Sequence, residues 1–398
     1  MTKVLGAYPD NNKSPPQLNE WRVLSSGSIV GTVTGHPSIS DGDVITTSPI
    51  QDPDAAAEHA LVQTASGTTY QLLEPMEQDG TSTKSNVNSL VMGSAAFQEA
   101  ASKLNLNMRA VGITQQYYLS GEPTPSTSGK SRIWEAYRAD MDGVPAEPPL
   151  CVKISTNIEA VSREYENYQR LGFGGLSKDR FVKCFEYLPM AGYEEKLREQ
   201  CALVLEMGSR DLKSFLDSRG RLQGSELLEA CKAAAQCVQA VHLAGLVWTD
   251  IKTENFVVMA NGEVKGIDLE SAMPKGGNPV DYSPEACPPE FAVAFEEGEA
   301  SKFILDYSYD IWSLGMLYLE LASGKGVFDH KDANEITKLL KGLDKIPLDD
   351  LEGSGCDPNL RDLIDQCLQK DPRNRPSMSK LMAHPYLTRV APSPFFLS

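Results

Sequence analysis

The chain has 398 residues, with 37 Lys and Arg against 54 Asp and Glu, a net charge of −17 at pH 7, and eight cysteines. So acidic a chain offers no basic footprint for nucleic acid or an anionic membrane, and no apolar run approaches the ~20 residues that cross a bilayer. The length allows two or three domains with real cores.

Residues 1–19 are polar and Pro-rich and are expected to form a flexible tail. They lack the apolar stretch of a signal peptide, so the expected setting is intracellular and soluble: the cytoplasm, or an organelle after removal of a targeting peptide. Residues 20–76 change character. WRVLSSGSIVGTVTGHP, DGDVITTSPI and HALVQTASGTTYQLLE are short alternating runs rich in Val, Ile and Thr, parted by SSG, DGD and ASG turns. That pattern predicts a small all-β module. Nothing in it reads as catalytic, and its expected role is targeting or docking of a partner. Residues 77–108 read as a polar linker with one short helix at SAAFQEAASKLN.

From about Arg109 the pattern is mostly strands, and from about Asp211 mostly helices. VSREYENYQRL carries apolar and aromatic residues at helical spacing, and GSELLEACKAAAQCVQAVHLAG predicts a long, deeply buried helix. The expected class is α+β: a strand-rich lobe over 109–207, a helical lobe over 208–391 and a tail over 392–398. The eight cysteines show no CxxC and no metal-ligand spacing, and most lie in apolar surroundings. They read as buried free thiols of a reducing compartment.

The chemistry concentrates in WTDIKTENF, which holds Asp250, Lys252 and Asn255, and in IDLE, which holds Asp268. An Asp, an Asn five residues on and a second Asp after a short hairpin is what phosphoryl transfer from ATP requires. One carboxylate faces the acceptor hydroxyl, a Lys sits near the transferred phosphate, and Asn with the second carboxylate holds Mg²⁺.

These residues, with CVKIS, YSPEACPPE, YDIWSLG and DPRNRPS in order, resemble the eukaryotic protein kinase family of Ser/Thr type, over roughly residues 109–391. The resemblance implies a bilobal fold, ATP and Mg²⁺ as cofactors and a protein as substrate, with the β module outside it. It makes Asp250 the catalytic base, Lys252 the neutraliser of the transferred phosphate, and Asn255 and Asp268 the metal ligands. Lys153 would grip the phosphates. Its partner would be Glu164, with Glu166 the neighbouring candidate. Leu205, Glu206 and Gly208 in ALVLEMGSRDLKSFL would form the adenine-reading hinge, although an ordinary core strand running into a helix fits those residues equally. Ile133 and Cys151 would cover the adenine from above and Val257 from below. Ser283 would sit in the substrate loop beside the catalytic Asp, Glu290 would pair with Arg375, and Asp310 would brace the catalytic loop.

Three departures stand against the family pattern. The glycine positions of the phosphate-covering loop fall on Ser126, Ser128 and Ser131, with only Gly129 nearby and with Ser hydroxyls and Lys130 as substitute donors. A P-loop reading of TPSTSGKS fails, because RIWEAYRAD reads as a strand where a helix should follow. The usual His and Arg before the catalytic Asp are Trp248 and Thr249, so a phosphorylated activation loop would lack its basic anchor. The DFG triplet reads Asp268-Leu269-Glu270, and Glu270 would either bind metal or hinder closure. The alternative to an active kinase is a pseudokinase, a nucleotide-binding or scaffolding protein.

Overall fold

The computed structural model describes residues 14–23, 29–37, 39, 41–42, 44–47, 50, 52, 56–64, 68–75, 92, 94–112, 116–126, 129–172, 178–192, 195–351 and 355–390. Two compact units emerge: Met1–Ile158 with Glu186–Val204, and Glu159–Phe185 with Leu205–Ser398.

The first unit is built on β-sheets. β1 (Gln17–Val23), β2 (Ile29–Thr34), β3 (Val44–Thr46), β4 (Leu61–Gln63) and β5 (Thr69–Leu72) form a five-stranded sheet in the order β3-β2-β1-β5-β4. β1 is antiparallel to β2 and parallel to β5. Alternation sends Leu18, Ile29, Val33, Val62, Tyr70 and Leu72 into one small core with Trp21. The Trp21 indole donates to Leu73 O at 3.0 Å, so its polar edge is satisfied. β1 begins at Gln17, inside the stretch expected as tail, because Leu18 is needed in that core.

Helix α1 (Ala95–Lys103) is capped by Ser94, whose hydroxyl accepts from Phe97 N, and it packs Phe97 against Tyr118. β6 (Leu106–Val111), β7 (Tyr117–Pro125), β8 (Ser131–Ala139), β9 (Pro145–Ser155), β10 (Cys184–Leu188) and β11 (Cys201–Glu206) make a six-stranded sheet in the order β10-β11-β9-β8-β7-β6. RIWEAYRAD is therefore a strand, which disposes of the P-loop reading. Trp134, Val152 and Ile154 share one core with Tyr117, Leu119 and Val204.

The second unit is mostly helical. α2 (Ile158–Gly172) leads it, and α3 (Glu195–Arg198) is a single turn belonging to the first unit. α4 (Leu212–Arg219), α5 (Gly224–Leu243), α6 (Pro289–Glu296), α7 (Ser308–Ser323), α8 (Ala333–Gly342), α9 (Pro358–Cys367) and α10 (Met378–Met382) follow. α7 is buried along nearly its whole length, the expected state of a helix apolar on all sides. No helix among the described residues is long and apolar enough to cross a membrane. All eight cysteines are free thiols, five of them buried. A hairpin of Phe256–Val258 and Val264–Gly266 joins the two acidic motifs, with Phe256 opposite Gly266.

Candidate active site

One carboxylate fixes the loop that carries Asp250. Asp310, fully buried on α7, accepts the backbone N–H groups of Trp248 at 2.8 Å and Thr249 at 3.0 Å, and faces His242 Nε2 at 2.9 Å. The bracing expected of Asp310 is thus present. Thr249 stands at φ +65°, a conformation costly for a β-branched residue. Bonds at both its polar groups hold it there: its N–H is on Asp310, and its Oγ1 reaches Ser271 O at 3.3 Å and Asp281 O at 3.1 Å. Trp248 is wholly buried between Phe181 and Phe256, and its indole donates to Asp268 O at 2.9 Å.

Asp250, Lys252, Asn255 and Ser283 come together. Lys252 Nζ lies 3.0 Å from the Asp250 carboxylate and 2.8 Å from Ser283 Oγ, and the Ser283 hydroxyl donates to Asp250 Oδ1. Asn255 Nδ2 donates to Asp250 Oδ2 at 2.9 Å and to Asp250 O at 2.7 Å. Both amide hydrogens are spent, which leaves the Asn255 carbonyl oxygen for a cation. Burial works against the Lys252 ammonium, but the Asp250 carboxylate outweighs it and raises the pKa above the ordinary lysine value. Lys252 is therefore a fixed cation at neutral pH. Burial pushes the neighbouring Glu285 carboxyl up.

Asp268 follows the hairpin at φ +61°. Carboxylate oxygens of Asp268, Glu164 and Glu270 lie within 4.8 Å of one another. With the Asn255 amide oxygen these are hard donors of the kind Mg²⁺ takes. Glu164 on α2 is wholly buried while Glu166 is exposed, so the burial pattern separates the two candidates.

In the first unit, antiparallel pairing sets Ile133 opposite Lys153 and Glu135 opposite Cys151. Period-two alternation then places Ile133, Cys151 and Lys153 on one face of the sheet and Trp134, Val152 and Ile154 on the other. Lys153 is buried to 4 % exposure. Gly129 takes φ +69° in the turn before β8, and Lys130 beside it is exposed. Ser128 lies outside the described residues.

In the second unit Leu205 is buried, and Glu206 pairs with Lys265 at 2.8 Å. A Cβ on Gly208 would sit 2.9 Å from the Val257 side chain, so only glycine permits this approach. Glu290 and Arg375 form a two-pronged pair at 2.7 Å on each arm, with the Arg375 side chain fully buried over Trp312.

Two residues escape a reading of the sequence. On α2, Asn167 donates to Leu269 O and Ala272 O, each at 2.9 Å, and Arg163 Nε donates to Glu270 O at 2.7 Å. Their partners lie about a hundred residues away, and only their i, i+4 spacing on one helix face hints at a shared task.

The family model described as protein kinase domain matches residues 160–387, more than half of the chain. The match begins after Lys153 and after the turn at Gly129. The chain is similar to "Probable serine/threonine-protein kinase mkcF" of Dictyostelium discoideum, 31 % identical over 268 residues, which are 66 % of this chain and 36 % of that protein. It is also similar to "Dual specificity protein kinase TTK" of Mus musculus, 25 % identical over 339 residues, 81 % of this chain and 36 % of that one. With "Serine/threonine-protein kinase TAO3" of Rattus norvegicus it shares 30 % identity over 199 residues, 49 % of this chain and 21 % of that one. The chain thus spans 36 % or less of the length of these relatives.

Proposed function

Because this chain belongs to the protein kinase domain family, we propose that it transfers the γ-phosphate of ATP, with Mg²⁺, to a Ser or Thr hydroxyl of a protein. The carrying observation is the bonded group of Asp250, Lys252, Asn255 and Ser283, in which a carboxylate, a fixed cation and an amide oxygen share one small volume. Asp250 accepts the proton of the incoming hydroxyl and aims its oxygen. Lys252, held cationic by that same carboxylate, meets the charge of the phosphoryl group in transfer. Ser283 shapes the place where the acceptor residue lies and yields its bond to Asp250 when the acceptor arrives. Asn255 and Asp268 would hold Mg²⁺ through hard oxygen donors, and the ion would supply neutralisation of phosphate charge.

Lys153 and Glu164 are assigned to orienting the phosphates, and Leu205, Glu206, Gly208 and Val257 with Ile133 and Cys151 to holding the adenine. Ser128, Gly129 and Lys130 are assigned to the phosphate-covering turn. The module of β1–β5 is assigned to docking a partner.

A second reading, a nucleotide-binding scaffold without transfer, draws on the serines at the glycine positions and on Glu270. The deciding experiment incubates the protein with γ-labelled ATP, Mg²⁺ and a mixed protein substrate beside an Asp250→Asn control. Label on protein with wild type and not with the variant supports transfer. Mg-ATP that raises the melting temperature without any label would favour the scaffold.

A further inference from the structure

Five consecutive carbonyls, from Asp268 to Ala272, each accept a hydrogen bond from a side chain elsewhere in the second unit. Trp248 Nε1 takes Asp268 O at 2.9 Å, Asn167 Nδ2 takes Leu269 O at 2.9 Å, and Arg163 Nε takes Glu270 O at 2.7 Å. Thr249 Oγ1 takes Ser271 O at 3.3 Å, and Asn167 Nδ2 takes Ala272 O at 2.9 Å. A turn of this length normally leaves most of its carbonyls to water or to its own backbone. Here the segment is pinned peptide by peptide.

We infer that Asn167 is a positioning residue for the metal-binding acid. Its amide is 2 % exposed and carries two N–H groups, and both are used, one on each side of the Glu270-Ser271 pair. Fixing the Leu269 and Ala272 peptides fixes the plane of the chain that leaves Asp268. Asp268 itself, at φ +61° and with its own carbonyl held by Trp248, has little freedom left. Glu270 fits the same device. A residue with a side chain has less backbone freedom than the glycine the family pattern has at that place, and its N–H lies 3.3 Å from Asp268 Oδ1. Arg163, one turn before Asn167 on α2, extends the clamp to the middle carbonyl. The same helix carries Glu164, whose carboxylate joins that of Asp268. A displacement of α2 is therefore felt at the metal ligand through two side chains. The inference rests on the assignment of Asp268 to the metal.

The test titrates Mg²⁺ at fixed ATP and reads the rise in melting temperature, beside amide hydrogen exchange across residues 268–272, for wild type, Asn167→Leu and Arg163→Ala. Asn167→Leu keeps the volume and removes both donors. It is expected to raise the half-point Mg²⁺ concentration about tenfold or more, the usual cost of losing a group that orients a metal ligand. Exchange at Glu270 and Ala272 should speed up by a similar factor. Arg163→Ala should move both readouts the same way and less far, and it decides the matter if Asn167→Leu fails to fold. Variants that lower the melting temperature of the free protein yet leave the Mg²⁺ half-point and the local exchange at wild-type values would make Asn167 a packing residue and overturn the inference. If wild type takes no Mg-ATP, the assignment of Asp268 fails and the metal role falls with it. The exchange data then show separately whether Asn167 pins the segment.

Discussion

The segment after Asp268 and the turn before β8 are built by opposite rules. The first is held by side chains drawn from Arg163, Asn167, Trp248 and Thr249. The second draws on its own residues, with Ser126 N donating to Ser131 O at 2.9 Å, Gly129 N to Ser126 O at 2.8 Å and Ser131 N to Ser126 Oγ at 3.1 Å, beside a bond from Ser155 Oγ to Lys130 O at 3.1 Å. The family match runs through the first and begins after the second. The roles proposed for the two segments would account for the contrast. A carboxylate that must meet a cation loses its function when displaced by an ångström. If the turn covers phosphate, as proposed, hydroxyls and a lysine can stand in for its backbone donors at moderate cost, whereas a displaced carboxylate has no such substitute.

The most severe way to break the comparison is at Asp250. Asp250→Asn keeps the shape and the acceptor for Lys252 but neither takes a proton nor carries charge. Transfer to protein should fall by about 10²–10⁴, while the melting-temperature rise with Mg-ATP stays close to wild type. A variant that kept its turnover would move the catalytic base elsewhere.

Next in size is the frame of the helical unit. The Arg375 side chain is fully buried, and Glu290 is the carboxylate it forms an ion pair with. Glu290→Ala leaves that guanidinium uncompensated, a change worth roughly 3–5 kcal/mol at sites of this kind. Bonds to Ser308 O and Gln369 O favour the lower end of that range. Chemical denaturation should register the loss, and a change under about 1 kcal/mol would class the pair with exposed ones.

What the sequence made legible follows the same division. Asp250 and Asn255 were readable together because five residues of loop bring them into hydrogen-bond contact, and a tight hairpin then carries the chain to Asp268. Asp310 and the Glu290–Arg375 pair were readable because the family resemblance supplied the long-range partners. Asn167 and Arg163 were not, since an amide on a helix announces nothing about a carbonyl a hundred residues on. Trp248 was visible only as a replacement for the family's His, and its indole N–H on Asp268 O went unseen because composition says nothing of where a ring edge points. The fold class was legible from the change of period near Asp211, whereas the start of β1 at Gln17 was hidden by flanking prolines.

A smaller effect sharpens the contrast from the side of the turn. Ser126→Gly removes the hydroxyl that accepts from Ser131 N and restores the family's glycine. If the turn covers phosphate, one closer backbone contact, about 1 kcal/mol, should lower the KM for ATP about fivefold, with kcat little changed. An unchanged KM would take the turn out of the site, and a raised one would mean that the Ser126 hydroxyl already performs the task.

The smallest expected effect is none at all. Phosphorylation orders an activation segment by giving basic side chains an anion to grip, and in this chain the residue before Asp250 is Thr249. Its hydroxyl already bridges two points of the segment ten residues apart, Ser271 O and Asp281 O, and its buried position leaves no room for a phosphate. Ser271 Oγ closes the loop in return on Trp248 O at 2.8 Å. These neutral hydrogen bonds are expected to do beforehand what a phosphate would otherwise do. Phosphatase treatment of the purified protein should leave turnover within about twofold of the untreated sample. A tenfold loss would mean that an anion elsewhere in the segment finds a cation other than residue 249, and Arg163, the one α2 guanidinium already bonded to this segment, would be the first to replace.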